Sequence, residues 1–245
     1  MRLGPRLTTA ALLAIGLLVP FALLAVFVVG DWAPLREADA EVTGALHGWA
    51  LAHPGWVDTT YWWTTIFAPF PLRFATLLLV IWLLRRHARR LALWVVTTMA
   101  VGGVLGAVLK LLVGRHRPDL LEPVARAAGF SFPSGHALNA TLAAGVFVLV
   151  LLPVVRHRWI LWAGAIVVAV LTGVSRVVLG VHYTSDVIAG WLLGVALLAA
   201  TTMAFTRRGP ESVMEQGLEP RLTDPHHAAL TGGPWAGGGA EGRLS

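Results

Sequence analysis

The 245-residue chain has no cysteine and a single lysine, Lys110, against 18 arginines. The first absence excludes structural disulfides and thiolate metal sites, and it leaves the redox compartment unread. Charge is scarce as well: 13% of the residues are Asp, Glu, Lys or Arg, where soluble domains carry about 25%. With 56% hydrophobic residues and a mean hydropathy of +0.71, the composition excludes a soluble enzyme, a disordered chain and a nucleic-acid reader. A pI of about 11.1 does not reverse this. The basic residues punctuate apolar runs instead of forming one polar face, so nucleic acid is not an expected partner and the bilayer is.

What is present is length of apolar run. A bilayer needs roughly 17–25 apolar residues per helix, and six stretches qualify or nearly so: Leu7–Gly30, Pro71–Leu84, Leu91–Val113, Ala137–Val155, Trp159–Gly180 and Val187–Thr206. They predict an all-α integral membrane protein with six transmembrane helices in a bundle over residues 1–206. The first stretch has Arg2 and Arg6 before it, as a signal peptide would. It reaches Val29 without a small-residue cleavage site, so it reads as a retained anchor. The second is interrupted by Pro69, Pro71 and Arg73, which predicts a surface-lying segment before Pro69 and a membrane helix after it. Between these two, Asp31 to Trp56 reads as a loop at headgroup level, with three Trp among its charges.

Arginine in short loops sets orientation. Arg2, Arg6, Arg85, Arg86, Arg89, Arg90, Arg156, Arg158, Arg207 and Arg208 fall on one side with no acid among them. The opposite side begins with Asp31, Glu37, Asp39, Glu41 and Asp58 against Arg36. The expectation is a multi-pass protein of the cell membrane with both termini cytoplasmic. The segments Gly114–Gly135 and Val181–Asp186 then face outward. Residues 207–245, rich in Gly, Pro and acids and without apolar periodicity, read as a disordered cytoplasmic tail. No internal repeat is found.

The polar residues that could do chemistry gather at the outward ends. Lys110 closes the third stretch and Arg117 follows in the loop. Ser134, Gly135 and His136 open the fourth, Arg176 closes the fifth, and His182 and Asp186 open the sixth. Ionisable residues at membrane depth are costly and by default functional candidates. His182 and Asp186, four apart, share one helix face. The carboxylate can hold the Nδ1 proton and leave Nε2 as a nucleophile. A helix start at Ser134-Gly135-His136 offers free backbone N–H groups to an anion. Lys110, Arg117 and Arg176 would add three cations, a cage suited to phosphate. His136 is then the second imidazole, fit to protonate a leaving oxygen. Each group also has a plain structural reading. Lys110 and Arg176 can snorkel to the headgroups, Pro133-Ser134 can be simple helix-start chemistry, and Asp186 can be a first-turn acid favoured by the helix dipole. Three separate loop ends collecting phosphate-suited groups on one face favour the functional reading.

Lys110-(six residues)-Arg117-Pro118, then Pro133-Ser134-Gly135-His136, then Ser175-Arg176-(five residues)-His182-(three residues)-Asp186 resemble the three-part signature of the type-2 phosphatidic acid phosphatase superfamily. All eleven signature positions match. Thr184 departs from the Pro that relatives often carry between the His and the Asp, and it removes no catalytic group.

The resemblance implies hydrolysis of a lipid phosphate or pyrophosphate, without a metal or other cofactor, through a phosphohistidine. It assigns His182 as nucleophile, Asp186 as its orienting acid and His136 as general acid and base. Lys110, Arg117, Ser134, the Gly135 amide and Arg176 would hold the phosphoryl oxygens. Membrane members of this size resemble undecaprenyl pyrophosphate phosphatases and phosphatidylglycerophosphate or phosphatidate phosphatases. No obligate protein partner is implied. The outward loops hold no carboxylate cluster of the kind that binds Mg²⁺, although Asp119 and Glu122 keep that question open. Two other functions compete: a phosphotransferase acting on a sugar or lipid acceptor, and a lipid-binding or transport protein with a relict site. The intact pair of histidines and the orienting acid weigh against the relict.

Overall fold

The computed structural model describes residues 5–206, apart from the side chains of residues 5–11, 13 and 206. The segment 207–245, expected to be a disordered tail, lies outside the described residues, as does Arg2. Eight helices follow in order: α1 (Pro5–Val29), α2 (Ala33–Ala52), α3 (Pro54–Ile66), α4 (Pro69–Arg85), α5 (Arg89–Val113), α6 (Gly135–Leu151), α7 (Arg158–Val178) and α8 (Thr184–Thr206). No strand occurs among the described residues. Proline opens α2, α3 and α4, where its missing N–H costs nothing. Gly114, at φ 63°, closes α5 in the left-handed region.

Four stretches are long and apolar enough to cross a membrane: Pro54–Arg85, Arg89–Val113, Arg158–Val178 and Thr184–Phe205. Ala14–Val29 and Ala33–Ala52 meet that standard only together, bent by 92° at the break. Gly135–Leu151 is apolar but shorter. Among the described residues, length and composition alone thus give four such spans, or five with the bent pair taken as one. The Asp31–Trp56 segment, expected as a loop, is mostly the 20-residue helix α2. Its buried face is Asp39, Thr43, His47 and Ala50. That polar spacing of four is a helical period, and it packs inward instead of facing water.

Helix α6 is the centre of the bundle. Ten of its 17 residues are buried, and α4, α5, α7 and α8 all pack on it. Leu138, Leu142, Val146 and Val150 join Leu83, Val95 and Leu193 in the main apolar cluster. The outer surface is apolar too, with Leu77, Val104, Leu111, Leu112 and Ile166 exposed. This is the distribution expected where lipid, not water, is the solvent. Because lipid gives little hydrophobic drive between helices, close approach and internal polar contacts hold the bundle. On α8, a Cβ at Gly190 would stand 2.8 Å from Ser134 O, so only glycine lets α8 press on the start of α6. Thr98 Oγ1 donates to Thr201 Oγ1 at 2.9 Å between α5 and α8, a contact worth about 0.6 kcal/mol within a membrane.

The chain order places the arginine-rich turns and the polar loops at opposite ends. α5 starts beside the end of α8, where Arg90 donates to Phe205 O. It ends beside the start of α8, where Arg115 donates to Asp186.

Candidate active site

At the polar end, the loop 114–134 folds back on itself. Ser131 donates its N–H to Arg115 O at 2.8 Å and its hydroxyl to the carbonyls of Arg115 and His116. Lys110 Nζ reaches Phe130 O at 2.7 Å. Its Cε passes 3.9 Å from where a Cβ on Gly135 would stand, so the lysine lies against the first turn of α6. Arg117 donates to the carbonyls of Ala128, Gly129 and Phe130, and at 2.6 Å to Val181 O. One guanidinium thus joins the loop to the α7–α8 turn. Ser134 donates its backbone N–H to Asp186 O at 2.9 Å, which fixes the start of α6 against the start of α8. From α4, Arg73 Nε donates to Asn139 Oδ1 at 3.0 Å, and Asn139 Nδ2 donates to Gly135 O at 2.8 Å.

His182 is 2% exposed and Asp186 is fully buried. Nδ1 of His182 lies 3.3 Å from Asp186 Oδ2, and Nε2 lies 3.1 Å from Arg117 Nη1. A guanidinium can only donate, so Nε2 carries the lone pair and Nδ1 carries the proton, which points at the carboxylate. Burial pushes the His182 pKa down to about 4, against the opposing pull of Asp186; the charges of Arg117 and Arg176 lower it further. A pKa that low leaves the ring uncharged near pH 7. Burial likewise lowers the Arg117 pKa, and Asp186 opposes that shift. Arg176 is 8% exposed and donates Nη1 to Thr64 Oγ1 of α3 at 3.1 Å. His136, half-buried in the first turn of α6, lies within reach of the charges of Arg176, Arg117 and Lys110.

The structure therefore brings all eight residues singled out in the sequence to one end of the bundle. Two buried polar atoms among them, Ser134 Oγ and Arg176 Nε, have no hydrogen-bond partner. Such orphans are costly unless something else satisfies them. Among the described residues no group of three or more His, Asp or Glu side chains could hold a metal ion; Asp119 and Glu122 are exposed on the loop.

Sequence reasoning missed four residues here. Arg115 donates Nη1 to Asp186 Oδ1 and to Ser185 Oγ, both at 2.7 Å, and Nη2 to Asp39 Oδ2 at 2.8 Å. Asp39 also accepts from the Ser185 backbone at 3.0 Å and from its hydroxyl. Thr64 is the fourth. The available signals were the spacing of four in Asp39-Thr43-His47 and the presence of a basic residue, Arg115, two before Arg117.

The PAP2 superfamily profile matches residues 91–210. The chain is 43% identical over 98 residues to phosphatidylglycerophosphatase B of Bacillus subtilis, covering 38% of this chain and 48% of that one. It is 36% identical over 144 residues to an undecaprenyl-diphosphatase of Sulfolobus acidocaldarius, covering 56% and 66%. To the undecaprenyl-diphosphatase BcrC of Bacillus subtilis it is 31% identical over 163 residues, covering 64% and 79%. The chain thus spans about half to two thirds of the length of the first two relatives. Its fold matches the crystal structure of a transmembrane PAP2-type phosphatidylglycerolphosphate phosphatase from Bacillus subtilis with a TM-score of 0.74 at 27% identity, covering 81% of this chain and 98% of that one. The signature residues, the helical architecture and these matches agree that the chain belongs to the PAP2 superfamily.

Proposed function

We propose that this chain is a lipid phosphatase that removes a phosphoryl group from a membrane lipid phosphate or diphosphate through a phosphohistidine. The observation that carries the reading is the setting of His182: buried, with Nδ1 3.3 Å from Asp186 Oδ2 and Nε2 3.1 Å from Arg117 Nη1. In the first step Nε2 attacks phosphorus and the bond from phosphorus to the leaving oxygen breaks. The negative phosphoryl group brings His136 into play as the imidazolium, which gives its proton to that oxygen and is left neutral, a contribution of roughly 10²–10⁴ in rate. Asp186 balances the positive charge that the ring acquires. In the second step His136 takes a proton from water, the water oxygen bonds to phosphorus, and the phosphorus–nitrogen bond breaks. Inorganic phosphate leaves and both histidines return to their starting states.

Lys110, Arg117, Arg176, Ser134 and the Gly135 amide hold the phosphoryl oxygens. The unpartnered Ser134 Oγ and Arg176 Nε supply donors that need no reorganisation when the ligand arrives. The Arg117 contact to Nε2 gives way as phosphorus approaches that nitrogen. The relatives named for phosphatidylglycerophosphate and undecaprenyl diphosphate support a lipid substrate. So does an active centre at one end of an apolar bundle. In this reading α1, α4, α5, α6, α7 and α8 all cross the bilayer, both termini are cytoplasmic and the site faces outward. Its support is the count of ten arginines that the sequence assigns to one side of the membrane, with no acid among them.

The test is phosphate release in detergent, with EDTA present, from prenyl diphosphates, phosphatidate and phosphatidylglycerophosphate. Release from at least one, unchanged by EDTA and absent in His182→Ala, is expected. Release from none, or release that EDTA abolishes, contradicts the proposal. Phosphorylated acceptor appearing in place of free phosphate would make the chain a phosphotransferase.

A further inference from the structure

Asp39 stands outside the matched family region, which begins at residue 91, and Arg115 lies inside it between two signature residues. Yet Arg115 completes the hydrogen bonding of Asp186, and Asp39 holds Arg115. Its Oδ2 accepts from Tyr183 N at 2.9 Å and faces His182 Nδ1, while its Oδ1 accepts from Arg115. Arg115 in turn is held on three sides. Asp39 takes its second Nη, Ser185 Oγ shares the first, and the Tyr183 ring lies under its Cζ at 4.1 Å from the centroid. A planar guanidinium fork suits this task of setting two carboxylates in fixed register.

We propose that Asp39, acting through Arg115, is a positioning residue for the reaction. It holds the Asp186 carboxylate in the rotamer that orients His182. The proposal rests on the reading of His182 as nucleophile and Asp186 as its partner. Charge gives the arrangement its logic. Asp186 and Arg115 alone would cancel, leaving little field to stabilise a ring that turns cationic on phosphorylation. Asp39 restores one net negative charge to the trio. It also takes Arg115 Nη2, so the guanidinium is tied to both carboxylates at once. Asp39 is 3% exposed and Asp186 is fully buried, so little solvent screens these charges. The alternative is that Asp39 merely caps α8, because it also accepts the Ser185 N–H in the first turn of that helix. A cap affects stability and leaves the chemical step alone.

The full chain in detergent is assayed as Asp39→Asn, with KM, kcat and the single-turnover rate of phosphoenzyme formation measured beside the melting temperature. A misplacement of about 1 Å costs roughly 100-fold, so we expect kcat and phosphoenzyme formation to fall about 10- to 100-fold, with KM within about twofold. Asp39→Glu should recover part of that loss. In an Asp186→Asn background the substitution should cause no additional loss, because the relay is already broken. Wild-type kcat with a lowered melting temperature would reduce Asp39 to a cap and overturn the proposal. A raised KM at unchanged kcat would overturn it as well, as would a full additional loss in the Asp186→Asn background. Should Asp39→Asn not fold, Arg115→Lys keeps the charge and loses the fork; a kcat loss at constant KM supports the proposal and normal kcat refutes it. His182→Ala, run in parallel, separates the two readings. Phosphoenzyme in that variant refutes the nucleophile assignment itself, whereas its absence beside a normal Asp39→Asn refutes only the relay.

Discussion

Arg176→Ala tests the phosphate cage with little structural disturbance. Arg176 is buried, its one described side-chain partner is Thr64 Oγ1 at 3.1 Å, and its Nε has none. Removing it costs the fold one hydrogen bond from a charged donor, about 1.5–3 kcal/mol in the usual case. That loss is offset by no longer burying a guanidinium with an unpaired nitrogen. The folded state should survive with a small change in melting temperature. Catalysis should suffer far more. A preorganised donor aimed at developing charge is worth about 2.7–4 kcal/mol, so kcat should fall roughly 10²- to 10³-fold. Arg176→Gln keeps a donor for Thr64 and loses the charge, so it should restore the melting temperature and leave kcat low. The assay is phosphate release by purified protein with thermal melting of the same samples. A near-normal kcat in Arg176→Ala would remove this residue from the cage. A collapse of the fold would show that Arg176 serves mainly to tie α3 to α7.

The remaining predictions concern protonation, packing and topology. Burial holds the folded-state pKa of His182 near 4, below its ordinary value of 6.5, so kcat/KM should keep an unprotonated nucleophile down to about pH 5. A limb at pH 6.5 assigned to His182 by substitution would contradict this. The same shift makes folding favour the neutral ring. Its stability contribution should be full above pH 6.5 and drain away as pH falls toward 4, and melting curves of wild type and His182→Gln should converge over that window. Gly190→Ala puts a methyl 2.8 Å from Ser134 O and 2.9 Å from Ala137 Cβ. Overpacking of this kind costs about 1–3 kcal/mol and should also lower kcat by moving the start of α6; unchanged melting and activity would refute the close fit. Arg126→Cys should react with a membrane-impermeant thiol reagent in intact cells, and protection there would place the site on the cytoplasmic side.

The helices carrying the signature were legible because a bilayer demands nearly uniform apolar runs with polar breaks. The stretches Leu91–Val113 and Val187–Thr206 differ from α5 and α8 by three residues or fewer at either end. The signature residues were legible for a chemical reason: Lys110, Arg176, His182 and Asp186 are costly at membrane depth unless used. Helix α2 was not legible as a helix. Its inward face is polar, through Asp39, Thr43 and His47, while Trp49 and Leu51 point out, which inverts the pattern by which a soluble amphipathic helix is read. Nor was the Asp39–Arg115–Ser185 cluster. Its partners are 76 and 146 residues apart in sequence, and no local spacing encodes a contact that only the packing of α2 against α7 and α8 creates. The expected six spans came from hydropathy alone; α6 is shorter than the run Ala137–Val155 that suggested it, because the helix stops at Leu151 before Pro153.

The central claim is that His182 carries the phosphoryl group and His136 carries the proton. Rapid-quench labelling with a phosphorus isotope, using an aryl phosphate whose leaving group needs little protonation, tests it directly. His182→Ala should form no acid-labile adduct with this substrate. His136→Ala should form the adduct at a near-normal rate and accumulate it, because activation of the hydrolytic water is lost. An adduct that persists in His182→Ala and is missing from His136→Ala would reverse the two roles and contradict the account.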